Sequence, residues 1–108
     1  MATIPACLYS SNSLAAAKTE IISAEANTTR VIRKATFTNN SGGTLTIDLY
    51  IDPTGAAEVQ IADTKVLIDT ETWSCPAAEG QVLSPSGTCD VTASGVGIDL
   101  VIPGLKVT

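Results

Sequence analysis

The chain has 108 residues and a mass of 11.1 kDa, room for one domain, and its 44% apolar content excludes disorder over most of its length. Eleven acidic against six basic residues give a net charge of −5, which disfavours nucleic acid and anionic membrane as general partners. Histidine is absent, which removes the commonest general base and metal ligand together with the Ser-His and Cys-His nucleophile pairs.

Residues 1–13 carry no charge and no clear periodicity, and read as an N-terminal arm with one short strand at Ala6–Tyr9. Ile4, Leu8 and Tyr9 are its apolar anchors. The arm is expected to dock on a neighbouring subunit, with completion of its own sandwich as the alternative. Lys18–Ala24 predicts a strand and Glu25–Asn27 its turn. Thr28–Asn39 predicts a longer strand, with Val31, Ala35 and Phe37 on one face and Arg30, Ile32, Lys34, Thr36 and Thr38 on the other. Arg30, Arg33 and Lys34 hold half of the bases, and read as a solvated strand face, or else as a basic stripe for an acidic protein surface.

Asn39–Gly43 predicts a tight turn, because Asn and Gly tolerate positive φ. Thr44–Ile51 then alternates cleanly, Leu45, Ile47, Leu49 and Ile51 against Thr44, Thr46, Asp48 and Tyr50, so the two strands are expected to form a hairpin. Asp52–Gly55 closes that strand. Ala56–Ala62 reads as an edge strand or one helical turn. Lys65–Asp69 and Glu71–Cys75 predict strands, and Pro76 ends the second. After the turn Ala77–Gly80, Gln81–Leu83 leads into the turn Ser84–Gly87. Thr88–Ser94 puts Cys89, Val91 and Ala93 inward, Gly95–Gly97 interrupts as a bulge or turn, and Ile98–Ile102 is the last strand before Pro103-Gly104.

Val, Ile and Thr number 33, and β-branched side chains suit strands. About seven to nine short strands with turn signals about every 8–12 residues predict an all-β fold. The expectation is a single antiparallel β-sandwich, jelly-roll-like, over residues 14–108, with the arm 1–13 before it.

Cys7, Cys75 and Cys89 are an odd number without C-x-x-C spacing, so a Cys₄ or Cys₂His₂ zinc site within one chain is excluded. They are expected to be buried, reduced thiols, although Cys75 and Cys89 could meet across strands. No basic residue precedes an apolar run, so a cytoplasmic origin is expected. Asp63, Asp69 and Glu71 lie close together, as eleven acids in a short chain make unremarkable. Gly95-Val-Gly97 lacks the third glycine of a phosphate-binding turn. No catalytic residue, cofactor site or metal site is expected, and the chain is not expected to be an enzyme. Phe37 belongs to the core, Tyr50 faces outward, and Trp73 is assigned to the core ahead of an interface. Ile4, Leu8, Tyr9 and Tyr50 are the candidate interface residues. Fourteen alanines and four aromatics predict a thin core, easier to stabilise as a homo-oligomer or on a larger body.

From Ile32 onward the chain is a series of turn-punctuated pieces. These run Thr36-Phe-Thr-Asn-Asn-Ser-Gly-Gly43, Asp48-Leu-Tyr-Ile51, Asp52-Pro-Thr-Gly-Ala56 and Leu67-Ile-Asp-Thr-Glu-Thr72. Cys75-Pro-Ala-Ala-Glu-Gly80, Val82-Leu-Ser-Pro-Ser-Gly87 and the close from Val91-Thr-Ala-Ser94 to Pro103-Gly104 follow. Their order resembles small structural proteins from the virion modules of tailed bacteriophages. The resemblance implies a capsid decoration (cement) protein, or else an accessory protein of the neck or tail; a receptor- or carbohydrate-binding module ranks third. It implies other virion proteins as partners (the major capsid protein, or neck or tail subunits), no nucleic acid, no membrane, and a place in the virion after synthesis in the host cytoplasm. It brings no catalytic residues.

Overall fold

Alternating inward apolar and outward polar side chains build ten strands in the computed structural model, which describes residues 2–108. They are β1 (Thr3–Ser11), β2 (Thr19–Ile22), β3 (Thr29–Ile32), β4 (Thr36–Asn39) and β5 (Leu45–Asp52). β6 (Val59–Leu67), β7 (Thr72–Ser74), β8 (Val82–Leu83), β9 (Thr88–Ala93) and β10 (Ile98–Val107) follow, with a 3-10 turn at Pro76–Ala78. The pairings nest like one long hairpin: β1 with β10, β2 with β9, β3 with β8, β4 with β7, β5 with β6, all antiparallel. Rolling this hairpin adds β10 against β3 and β4, and β9 against β5. The result is two sheets, β1-β10-β3/β4-β8/β7 and β2-β9-β5-β6. β3 and β4 run end to end along β10, so the order is that of a jelly roll. Ten strands are present where about seven to nine were expected: the one strand read over Thr28–Asn39 divides into β3 and β4, while the segments read at Ala56–Ala62 and Lys65–Asp69 merge into β6.

Between the sheets lie Phe37, Ile47, Leu49, Leu67, Ile98, Leu100 and Ile102, all fully buried. The accessible surface of 5293 Å² is close to the roughly 5,600 Å² expected of a folded monomer of this mass. One chain therefore closes its own core despite having few aromatic residues.

Three expectations need correction. First, the segment read as an arm is largely part of the sheet. Residues 3–11 pair with β10 along its length, and Ala2 and Thr108 exchange both backbone hydrogen bonds, at 2.9 and 3.0 Å. A register shift between Cys7 and Tyr9 lets the consecutive residues Leu8 and Tyr9 both pack on the core. That bulge breaks the two-residue period, and the strand runs well beyond Ala6–Tyr9.

Second, Thr28–Asn39 is two strands with opposite phase. Thr28, Arg30 and Ile32 point inward, then Ala35, Phe37 and Asn39 do. The break faces Pro103, which has no N–H to give; its carbonyl accepts from Arg33 N at 3.0 Å. Arg30 is therefore in the interior, while Arg33 and Lys34 are exposed. The solvated basic face is confined to these two.

Third, β4 and β5 belong to different sheets, so the turn between them is a corner and not a hairpin. The turn itself forms, with Gly42 at φ 86°. It is held by the buried Asn39 side chain, whose Nδ2 donates to the carbonyls of Gly43 and Leu67, each at 2.8 Å, and whose Oδ1 accepts from Ser41 N at 2.9 Å. The hairpin partner of β5 is β6, reached through Asp52–Gly55, where Gly55 N donates to Asp52 Oδ1 at 2.7 Å. β6 also joins segments read separately, bridging them with a bulge at Thr64, φ 49°.

Candidate functional site

Register decides which side chains share a face, because directly paired residues point the same way. On the outer face of the first sheet, Pro5, Leu105, Val31 and Val82 stand opposite one another in a row across four strands. Cys7 and Pro103 form the next pair, and Ser10, Val101, Thr36 and Ser74 the row beyond. Val82 is 49% and Val101 46% exposed. Asp99, Thr38 and Thr72 form a further row, in which Asp99 is the one charge among the strand positions of this face and accepts from Asn40. Where β3 gives way to β4, the exposed Arg33 and Lys34 wall a shallow cleft of about 600 Å³ with Pro5, Ala6, Pro103 and Gly104. The face is thus apolar and hydroxyl-bearing, with two cations in its middle.

The outer face of the second sheet has the opposite character. Glu20 stands opposite Asp90, Asp90 opposite Tyr50, and Tyr50 opposite Gln60; Asp48 and Asp52 flank them on β5. Burial, reinforced by the nearby Glu58 carboxylate, raises Asp90 above the ordinary aspartate range. Lys18 is the nearby cation, hydrogen-bonded to Glu58 and lying 4.3 Å from the centre of the Tyr50 ring.

The interface candidates divide accordingly. Ile4 is 55% exposed on β1; Leu8 and Tyr9, on the same strand, are half-buried against the core; Tyr50 is on the other sheet under Lys18. The structure does not bring the four together. It adds Val31, Val82, Val101 and Leu105, whose shared face follows from the phase change at Arg33-Lys34. β1 is also an edge strand, paired on one side only. Ala2 faces β10, so by alternation Thr3, Pro5 and Cys7 turn their backbone groups to the open side. Pro5 lacks the donor there, which blunts that edge against indiscriminate strand pairing.

The remaining chemistry-bearing residues have structural partners. Asp69 Oδ1 accepts from Gly42 N and Glu71 Oε1 from Ile68 N, each at 3.0 Å; Asp63 accepts from Thr64 Oγ1 at 2.9 Å. These carboxylates brace turns and a bulge. Trp73 is half-buried, its ring 6.0 Å from that of Phe37, with Lys65 Nζ 5.1 Å above it. It walls a second groove of about 480 Å³ with Ile61, Val66 and Pro76. Among the described residues no three His, Cys, Asp or Glu side chains cluster as metal ligands would.

All three cysteines are free, but only Cys75 and Cys89 are buried, because the edge position of β1 leaves Cys7 exposed. Burial pushes the Cys89 thiol up to about 12. A maleimide at neutral pH should therefore add once per folded chain, at Cys7, and three times after unfolding. Native modification at Cys89, read by peptide mass spectrometry, would contradict this burial.

No family model matches the chain, and neither a curated protein nor a solved structure matches it significantly.

Proposed function

We propose that this chain is a non-enzymatic structural protein of a tailed bacteriophage virion, a capsid decoration protein that binds the shell through the outer face of its first sheet. The observation that carries this reading is the contrast between the two outer faces. One is a continuous apolar and hydroxyl-rich surface around Arg33 and Lys34; the other collects acids. Such a division favours docking in one orientation, with the acidic side left to solvent, and an acidic rim on the shell would meet the two cations. The jelly-roll order also recurs in viral capsid and lectin domains, an analogy at the level of fold alone.

Particle composition and face-directed substitution test the proposal together. Virions of the encoding phage should contain on the order of hundreds of copies, whereas about six or twelve would place the protein on a neck or tail ring. Val82→Glu with Val101→Glu should leave the melting temperature nearly unchanged and abolish binding to shells that lack the protein. Thr92→Glu, on the acidic face, should bind normally. Retained binding by the first variant would reject the assigned face; absence from purified virions would reject the function.

A further inference from the structure

Four of the six basic residues have structural partners. Lys18 is paired with Glu58, and Lys106 with Glu25 at 3.0 Å. Lys65 lies over the Trp73 ring, and the buried Arg30 donates from its guanidinium to the backbone carbonyls of Ser23, Ser84 and Gly87. Arg33 and Lys34 differ. Both are exposed, and among the described residues neither forms an ion pair. The break between β3 and β4 uses the backbone of this segment, where Arg33 N donates to the Pro103 carbonyl at 3.0 Å. Asp99, the acid on this face, stands four residues away on β10, about 13 Å along the strand from Pro103. Two adjacent cations are thus uncompensated in a chain of net charge −5.

We propose that the cleft they wall receives an extended acidic segment of the shell protein. The inference rests on the reading of this face as the shell-binding surface, and names what the face recognises. The cleft, about 600 Å³ in volume, passes the exposed Pro5 and Pro103 and ends at Arg33 and Lys34. β1, β10 and the β3/β4 break are successive positions in the sheet, so the cleft crosses it over about 10 Å, the length of about three extended residues. Charge complementarity selects carboxylates for the cationic end, and the planar arginine fork takes one of them bidentately. Residues i and i+2 of an extended segment share a side and lie about 7 Å apart, which sets an apolar side chain on the prolines when the carboxylate reaches the cations. Nucleic acid is disfavoured, because two cations neutralise few phosphates.

The probe is the peptide acetyl-Leu-Ser-Asp-Asp-amide, with acetyl-Leu-Ser-Asn-Asn-amide and a short thymidine oligonucleotide as controls, all at matched ionic strength. Amide NMR of the full chain should show saturable shifts at residues 6, 7, 33, 34 and 104 with the acidic peptide and with neither control. Bound peptide should also slow maleimide addition at Cys7, which is paired with Pro103. Arg33→Gln with Lys34→Gln should weaken binding of the peptide, and of shells that lack the protein, by about tenfold each. Its melting temperature should stay within about 3 °C of the parent, because both side chains are exposed. Equal binding of the acidic and amide peptides, or of the oligonucleotide, would overturn the proposal. Normal shell binding by the double variant would overturn it too, while leaving the shell-binding function intact. Absence of the protein from virions, with peptide binding retained, would reject the shell as the source of the segment and keep the chemistry of the cleft.

Discussion

Arg30→Leu should cost about 3–5 kcal/mol of stability, although a positive charge leaves a protein interior. The guanidinium ties β3 to two other stretches of chain, at Ser23 and at the turn Ser84–Gly87. Leucine fills part of the volume but leaves these carbonyls without that donor, each worth about 1–3 kcal/mol when buried and unpaired. Burial lowers the pKa of Arg30 below the ordinary arginine value, with Glu25 partly opposing, yet the group keeps its charge at any working pH. Against a total stability of about 5–15 kcal/mol, the loss should lower the melting temperature by more than about 12 °C. Arg30→Lys keeps the charge without the planar fork and should fall between the two. A Leu variant melting within about 3 °C of the parent would show that the turns hold without the staple.

Gly104→Ala should be the most damaging single methyl addition. A Cβ at this position would press on the Val31 carbonyl oxygen, part of the β10–β3 ladder, and come within 2.6 Å of Leu8 Cδ1. Leu8 could turn aside, but the carbonyl could move only by opening the ladder, so a loss of about 3 kcal/mol or more is expected. Gly43→Ala is the control, because a Cβ there meets nothing within 4 Å, and its effect should stay within about 0.5 kcal/mol. Equal denaturation midpoints for the two would show that the β10–β3 ladder yields to the added methyl without cost.

Strand positions were readable wherever the two-residue period ran unbroken. β5 and β9 presented Ile47, Leu49 and Ile51, and Cys89, Val91 and Ala93, to the core as alternation required. The period failed where one residue is inserted: at Leu8, at Arg33-Lys34 and near Thr64. Each insertion reverses the phase, so one uninterrupted reading of Thr28–Asn39 placed Arg30 outside and Val31 inside, the reverse of what is found. Pairing was harder to read than position, because a nested roll joins β1 to β10 across nearly the whole chain. Asn39–Gly43 has the composition of a hairpin turn, and only the distant partners of β4 and β5 make it a corner. The same limit hid the outer face of the first sheet, whose four aligned apolar residues come from four strands. No local pattern marks Arg30 as the staple, since its three carbonyl partners lie in loops brought together by the roll.

The position of β10 bears on how the domain is made. It is an inner strand of the first sheet, bonded to β1 on one side and to β3 and β4 on the other, yet it is the last of the ten strands to be synthesised. Until residues 98–107 emerge, β1, β3 and β4 have no common partner, and the first sheet can form only in part, through β3 with β8 and β4 with β7. Nascent chains should therefore acquire protease resistance in one late step, after a period in which uncharged strands such as β1 are open to chaperones or to one another.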